Sequence, residues 1–208
     1  MLMFSTRFTL VLLAGLLSAG YAAANVAPSV ADITEDGFTY QELTFLGEKT
    51  KVTLALPPAW SFRGNKSRLQ LTPPGKPFVE GSIEAVPLPE PKPLDPETLE
   101  AFKQQATASV PAGSQAIVVE SEGENTIMPE GNPSYEVVLG YQSLGKPFKR
   151  SVLLVNGPTE RLIVRFSAPK EDFAALATPF RRSLMSWRTT ELKPAAAGAV
   201  PPAVPPAQ

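Results

Sequence analysis

The sequence predicts an α+β protein, an α/β/α sandwich in which helices pack on a mainly antiparallel sheet. Two observations support this prediction: several segments alternate apolar and polar residues between short turn-rich links, and two segments carry apolar residues at helical spacing. Alternation indicates strands, whereas spacings of three and four indicate helices. Because the elements run strands, helix, strands, helix and the links suit hairpins, we expect one antiparallel sheet with helices against it.

The predicted strands are short and are separated by turn-forming residues. In residues 51–56, three apolar side chains share one face, and Pro57-Pro58 ends the segment because proline cannot donate to a strand ladder. Residues 161–166 are apolar on one face and carry Ile163 on the other, which predicts a strand inside the sheet. The predicted strands cover residues 40–45, 51–56, 67–72, 79–86, 115–120, 135–141, 147–155 and 161–166.

The first helix is predicted from its starting residues. Asp95 can cap free backbone donors, Pro96 suits the first turn, and Glu97 complements the helix dipole. Apolar residues then recur at helical spacing until Pro111 and Gly113 stop the run. The apolar face consists of Leu99, Phe102, Ala106 and Val110.

The second helix is predicted to begin within residues 167–172. Its apolar residues are spaced by three and four, so they share one side and dock on the sheet. Pro179 lies inside this segment and is expected to kink the helix or restart it. The apolar stripe consists of Phe173, Leu176, Phe180, Leu184 and Trp187.

The chain divides into four predicted regions. Residues 1–24 are typical of a signal peptide, with Arg7, an apolar run over residues 8–17 and small residues ending at Ala24. A single uncleaved anchor is the alternative interpretation. Residues 25–36 are predicted to be a leader, residues 37–188 the folded domain, and residues 189–208 a disordered Ala/Pro-rich tail. This order predicts a periplasmic or secreted protein without a stable membrane span after signal removal.

The composition excludes several familiar chemistries. The chain contains no histidine and no cysteine, which removes thiol nucleophiles, disulfides, imidazole bases and the usual zinc and copper ligands. Its 19 basic and 20 acidic residues give a net charge of -1, so it lacks the positive field that non-specific nucleic-acid binding requires. We therefore expect no nucleic-acid partner.

Several parts of the sequence together resemble one known family. A strand runs into Leu56-Pro57-Pro58-Ala59-Trp60, a capped helix and a long hairpin follow, and residues 161–169 lead from a strand into a closing helix that ends at Ser186-Trp187-Arg188. Over about residues 37–188 this pattern resembles PsbP-like domains, including the bacterial DcrB-type relatives. The resemblance implies an α/β/α sandwich that serves as an accessory or binding module. Photosynthetic members help to retain calcium, manganese and chloride, and other relatives bind a small GTPase. The sequence has no family motif that would carry a binding residue across.

Glu120, Glu122 and Glu124 are the best candidates for a cation site. If they lie in a regular strand, their alternation places all three carboxylates on the same face, and oxygen ligands suit calcium or manganese. The alternative is a solvated strand edge, where charge discourages aggregation. Because the sequence does not decide between these interpretations, we assign no metal residues.

Other conspicuous residues have simple structural interpretations. Lys146, Lys149 and Arg150 form the densest basic spot, which is typical of a soluble hairpin surface. Trp60 and Trp187 lie at the edges of apolar patterns and are predicted to anchor the core. Ser167 and Lys170 have Ser-x-x-Lys spacing, but their place at a helix start favours capping. Arg181 and Arg182 are predicted to border the stripe of the second helix.

These observations favour an exported, non-catalytic binding or accessory module of the cell envelope. Its expected partner is an unidentified protein or small ligand, and we assign no catalytic residues, cofactor-binding residues or cofactor. A carboxylate-based hydrolase is one alternative, because sequence spacing cannot place two carboxylates across a cleft. A structural spacer that uses its Ala/Pro tail is another.

Overall fold

The computed structural model describes residues 28–47, 50–90, 93–127, 132–157 and 160–192. The predicted signal peptide and residues 193–208 of the predicted tail lie outside these ranges. Among the described residues, no helix has both the length and the apolar character needed to cross a membrane.

The described residues form two antiparallel sheets and two helices. The strands are β1 Ser29–Glu35, β2 Phe38–Leu46, β3 Thr50–Ala55, β4 Ser61–Gly64, β5 Arg68–Thr72, β6 Glu80–Pro87, β7 Gln115–Glu124, β8 Ser134–Ser143, β9 Lys146–Asn156, β10 Glu160–Pro169 and β11 Arg188–Glu191. The helices are α1 Pro96–Ala108 and α2 Lys170–Met185. The larger sheet has seven strands in the order β4-β5-β6-β10-β9-β8-β7, and the smaller has four in the order β1-β2-β3-β11.

A two-residue turn connects the strands of one hairpin in each sheet. Asp36 and Gly37 have φ values of 50° and 81° between β1 and β2, and Leu144 and Gly145 have values of 51° and 71° between β8 and β9. Two consecutive residues with positive φ are typical of the type I′ turn, whose twist matches that of paired strands. Both links therefore join antiparallel neighbours directly.

The two faces of the seven-stranded sheet bury separate apolar clusters. One cluster joins Phe102 and Ala106 of α1 to side chains of β8, β9 and β10. The other joins residues of α2 and the four-stranded sheet to the opposite face. At its centre the Phe166 and Phe180 rings lie 5.2 Å apart between centroids, and Trp60 lies 6.2 Å from Phe180. The seven-stranded sheet is thus the middle layer.

The prediction of a mainly antiparallel α+β fold is confirmed, but one layer of the sandwich differs from the predicted one. A helix lies on each face, yet α2 shares its face with the four-stranded sheet. Ser183 Oγ donates to the carbonyl oxygen of Ala55, and Ser186 Oγ accepts from the Ala55 amide at 2.8 Å. These bonds fix the end of β3 against α2, so that helix and sheet cover the core together.

Both edge strands of the smaller sheet were absent from the sequence prediction. β1 lies in the segment predicted as a leader, and β11 extends beyond the predicted domain end at residue 188. Neither strand buries a residue fully, so neither shows the alternation that marks a half-buried strand. The dipeptide Asp36-Gly37, a strong hairpin signal, could have revealed β1.

The helices begin and end close to their predicted limits, with one difference at the start of α2. Asp95 caps α1, accepting a hydrogen bond from the Thr98 amide at 2.7 Å. α2 starts at Lys170 after Pro169, with no side-chain cap, and continues through Pro179. Ser167 belongs to β10, so the prediction that it caps this helix is wrong. Trp187 lies beyond the helix but is buried in the core, as predicted.

Candidate functional site

A polar groove lies on the face of the seven-stranded sheet that carries α1. The apolar cluster under α1 involves β8, β9 and β10, while the outward side chains of β5 and most of those of β6 are polar. On β5, Leu69 and Leu71 are buried on the opposite face, which directs Arg68 and Gln70 outward. On β6, buried Ile83 likewise leaves its neighbours, including Ser82, on the polar face. Strand alternation therefore builds the groove.

Charged and hydroxyl side chains line this groove, which has a volume of about 300 Å³. The strands β5, β6, β10 and β9 supply most of the lining, and the C-terminal end of α1 supplies one residue. We call the site the arginine groove. It is lined by Arg68, Arg150, Arg165, Glu80, Glu84, Ser82, Ser109 and Ser167.

The three arginines follow a diagonal across neighbouring strands. Arg165 lies opposite Ser82, whereas Arg68 is paired in register with Glu84 and Arg150 with Ser167. From strand spacing and rise, the Cα atom of Arg165 lies about 8 Å from that of Arg150 and about 12 Å from that of Arg68. The same geometry places the outer two, Arg68 and Arg150, about 20 Å apart. The register therefore lines up three guanidinium groups along one groove.

Two of the arginines are held by neighbouring groups. Arg165 Nη1 lies 2.8 Å from Glu84 Oε2 in an ion pair whose side chains are 22% and 38% exposed. Arg150 Nη1 donates to the carbonyl oxygen of Ser109, the C-cap residue of α1. A cation at this position also complements the negative end of the helix dipole. Both guanidinium groups are therefore oriented before any ligand binds.

Among the described residues, some polar groups of the arginine groove have no partner. Within the described residues, neither Arg68 nor Glu80 forms a salt bridge. Arg150 Nε is buried and has no hydrogen-bond acceptor there. Because Arg68 and Glu80 are exposed, they are the charged groups of the groove that stay open to a ligand.

Ser167 is a positioned hydroxyl rather than a free nucleophile. Its Oγ lies 2.8 Å from the hydroxyl of Tyr141, and both residues are buried. Lys170 begins α2, so the Ser-x-x-Lys spacing spans a strand end and a helix start. We find no base hydrogen-bonded to Ser167 among the described residues.

The two glutamates of the groove do not face each other across a cleft. Glu80 and Glu84 lie four residues apart on β6, and Glu84 is paired with Arg165. The rise of an extended strand separates their Cα atoms by about 13 Å. Glycosidases place their two carboxyl groups on either side of the bond that they cleave. Two glutamates on one strand, one of them ion-paired, give no support to the carboxylate-hydrolase alternative.

The predicted alignment of Glu120, Glu122 and Glu124 on one face is wrong. The β7–β8 register shifts between Val119 and Ser121, so that β7 contains an extra residue. Such a bulge interrupts the alternation of side chains. Among the described residues, no group of three or more acidic side chains is placed to hold a metal ion.

Each of the first two glutamates instead pairs with a lysine. Glu120 reaches across Gly140 to Lys149 Nζ at 2.6 Å, whereas Glu122 lies 2.7 Å from Lys103 Nζ of α1. The hydrogen bond that Lys103 donates to Glu122 raises the pKa of the lysine, against the opposing effect of burial. The acidic residues thus attach β7 to its neighbours.

The other residues singled out from the sequence are separated by the fold. Of the predicted basic spot, Lys149 pairs with Glu120 while Arg150 enters the arginine groove. Trp60 is buried in the core, as predicted. Arg181 forms an ion pair with Glu136, which also accepts from Asn125 Nδ2 at 2.7 Å.

Sequence reasoning missed most of the arginine groove. Arg68, Arg165, Glu80 and Glu84 received no functional interpretation, although each alternates with buried apolar residues along a strand. That alternation was the available signal, because it places charges on the face opposite a core. It does not reveal which strands are neighbours, and the site depends on the strand order.

Comparisons with known proteins complete this description. No protein-family model matches the sequence, and no curated protein matches it. Two solved structures align with most of the chain. LpqN of Mycobacterium tuberculosis, involved in cell envelope biogenesis, is 14% identical with a TM-score of 0.47, and the alignment covers 82% of this chain and 95% of that one. PA94 of Pseudomonas aeruginosa, a protein of unknown function, is 12% identical with a TM-score of 0.43, covering 81% and 99%. The PsbP-like resemblance stays a prediction.

Proposed function

We propose that this chain is an exported, non-catalytic binding module of the cell envelope and that the arginine groove is its ligand site. One observation carries the proposal: a concave site of about 300 Å³ contains charged groups that the described residues leave unpaired. Ligand pockets are typically concave, with a few convergent polar groups that fix orientation. The predicted signal peptide supports the envelope location.

The site is built on rigid elements, which suits binding. β6 and β10 lie inside the seven-stranded sheet, and Ile83 and Val164 on their other face are almost fully buried. Side chains mounted on packed strands keep their positions when a ligand enters, so little conformational entropy is lost on binding. A preorganised surface of this kind favours a small ligand.

The residues of the groove support binding rather than catalysis. Its arginines offer N–H donors and no acceptor, so they do not serve as general bases. Of its two glutamates, Glu84 is ion-paired with Arg165, and its most buried serine is hydrogen-bonded to Tyr141. Each of these groups can recognise a polar ligand without reacting with it.

The test is to recover a ligand and block its site. The purified protein is incubated with envelope extract, and native mass spectrometry measures any added mass. Ser82→Trp should abolish the added mass, because the indole fills the groove between Gln70 and Arg165. Ser29→Trp, on exposed β1 of the other sheet, is the matched control and should keep it.

Two results would contradict the proposal. One is the absence of any added mass from envelope extracts. The other is an unchanged bound mass in a folded Ser82→Trp protein, because the ligand would then bind elsewhere. Circular dichroism of both variants checks that the fold is retained.

A further inference from the structure

We infer that the ligand of the arginine groove is a small molecule carrying an oxyanion, a carboxylate or a phosphate, held by Arg68, Arg165 and Arg150. This inference rests on the proposed function, because it names the chemical class of ligand for the same site. Guanidinium groups present planar sets of donors that match carboxylate and phosphate oxygens.

The charge of the groove favours an anion. Arg165 and Glu84 lie 2.8 Å apart and compensate each other. The other charged groups are Arg68 and Arg150 against Glu80 alone, so the lining keeps an excess of one positive charge. A neutral ligand would leave this excess in place, whereas a singly charged oxyanion would balance it.

The hydrogen-bonding groups lead to the same ligand class. Arg68 is exposed and has no ion-pair partner among the described residues, and Arg150 lines the same groove. Guanidinium nitrogens donate and do not accept, so both residues favour a ligand that brings acceptor atoms. An oxyanion offers several acceptors on one compact group. Bonds to it are stronger than those to neutral hydroxyl groups.

Glu80 limits which anions fit. It lies opposite Ser167, which in turn lies opposite Arg150, so a carboxylate stands on the same row of the sheet as this arginine. A second anionic group near Glu80 would be repelled, whereas a hydroxyl or ammonium group would donate to it. The ligand that fits best has one oxyanion and a hydrogen-bond donor a few atoms away.

The inference is tested by titrating the purified protein with four probes. Inorganic phosphate, glycerol 3-phosphate and lactate carry an oxyanion. Glycerol is the uncharged control for glycerol 3-phosphate. The readouts are the arginine Nε–H resonances in nitrogen-15 spectra and calorimetric affinity. We expect at least one anion to shift the Arg150 Nε resonance saturably, with weaker binding at higher salt. Glycerol should not shift it. The phosphate and lactate arms distinguish the two kinds of oxyanion.

Variants then assign the effect to the groove. Arg68→Gln should weaken anion binding by about tenfold, the usual result of losing a charge-assisted hydrogen bond. Arg68→Lys should give an intermediate loss, since it keeps the charge without the planar fork. Glu80→Gln should tighten anion binding, because it removes a like charge. Arg182→Gln on α2 is the matched control and should leave affinity unchanged. Because Arg68 is exposed and forms no ion pair with the residues that the structure describes, its removal should spare the fold.

The outcomes separate this inference from the proposed function. It would be overturned if no anion shifted the groove resonances, if glycerol bound as well as glycerol 3-phosphate, or if Arg182→Gln weakened binding as much as Arg68→Gln. If the ligand recovered from the envelope carries no oxyanion and no longer binds to the Ser82→Trp variant, the oxyanion inference is wrong. The proposed binding function would still hold. Anion binding that persists in folded Ser82→Trp would instead contradict the groove as the site.

Discussion

Two strand glycines, Gly81 and Gly140, illustrate how differently a single added methyl group can act. At Gly81 of β6, the methyl would overlap the Phe180 ring of α2, with Cδ2 only 2.8 Å away. At Gly140 of β8, it would meet the Glu120 carboxylate, with Oε1 2.7 Å away. A buried ring cannot yield without disturbing the core, whereas the end of a partly exposed glutamate can rotate.

We therefore expect Gly81→Ala to destabilise the protein by about 1 to 3 kcal/mol, the usual cost of overpacking a core. Gly140→Ala is the matched substitution and should cost less than about 1 kcal/mol, since it weakens only a partly exposed ion pair. Urea denaturation measures both free energies of unfolding. Equal losses in the two variants would show that the ring can move aside.

At the scale of elements, the β7 bulge gives Glu120 and Glu122 different lysine partners. Because the Glu122 hydrogen bond raises the pKa of Lys103 in the folded protein, the pair stabilises the fold fully below the ordinary lysine pKa. This contribution is lost as the pH rises through the folded-state value. Connecting α1 to β7 in this way therefore remains effective throughout the physiological range.

Glu122→Gln should lower the pKa of Lys103 towards the ordinary lysine value of about 10.4, because the charged partner is gone. A pH titration of the lysine side-chain resonances measures this directly. Glu124→Gln on the same strand is the control and should leave the Lys103 pKa where it is. A Lys103 pKa unaffected by Glu122→Gln would contradict the pairing.

The start of α1 offers a second prediction at this scale. Asp95→Ala removes the acceptor for the Thr98 amide and should cost about 1 kcal/mol of unfolding free energy. Asp95→Asn keeps a side-chain oxygen for the amide and should cost clearly less. Chemical denaturation compares the three proteins, and an Asp95→Ala protein as stable as the parent would show that this cap contributes nothing.

How far the sequence predicts each element depends on how much of it is buried. β3, β10 and α1 follow from apolar periodicity and capping residues, because each contributes buried apolar side chains to a core. β1 and β11 escape prediction because their pairing uses backbone bonds and little side-chain burial. The arginine groove is not predicted for another reason. Its three arginines, Arg68, Arg165 and Arg150, line one groove only because of the strand order β5-β6-β10-β9. No local sequence pattern encodes that order.

For the whole molecule, the shared core predicts one cooperative unfolding transition. Leu43 and Leu54 of the smaller sheet belong to the same cluster as Ile83 and Val164 of the larger one. Neither sheet can expose its part without opening the other, which is the condition for two-state behaviour. Trp60 and Trp187 report on this cluster, while far-ultraviolet circular dichroism reports on all elements.

We expect fluorescence and circular dichroism to give coincident denaturation curves with one midpoint. Single Trp60→Phe and Trp187→Phe variants should leave the curves coincident, with lower midpoints, because each loses buried contact area. Separate transitions for the two probes would mean that the four-stranded sheet unfolds independently of the seven-stranded one.

The four-stranded sheet also determines where the rest of the chain departs. Its two edges are β1, which follows residue 28, and β11, which ends just before residue 192. Both edges belong to the layer that covers the α2 face, while the arginine groove opens on the α1 face. A surface, fusion partner or tether attached through either edge strand would thus lie on the α2 side of the domain. The groove, on the α1 side, would face away from the attachment.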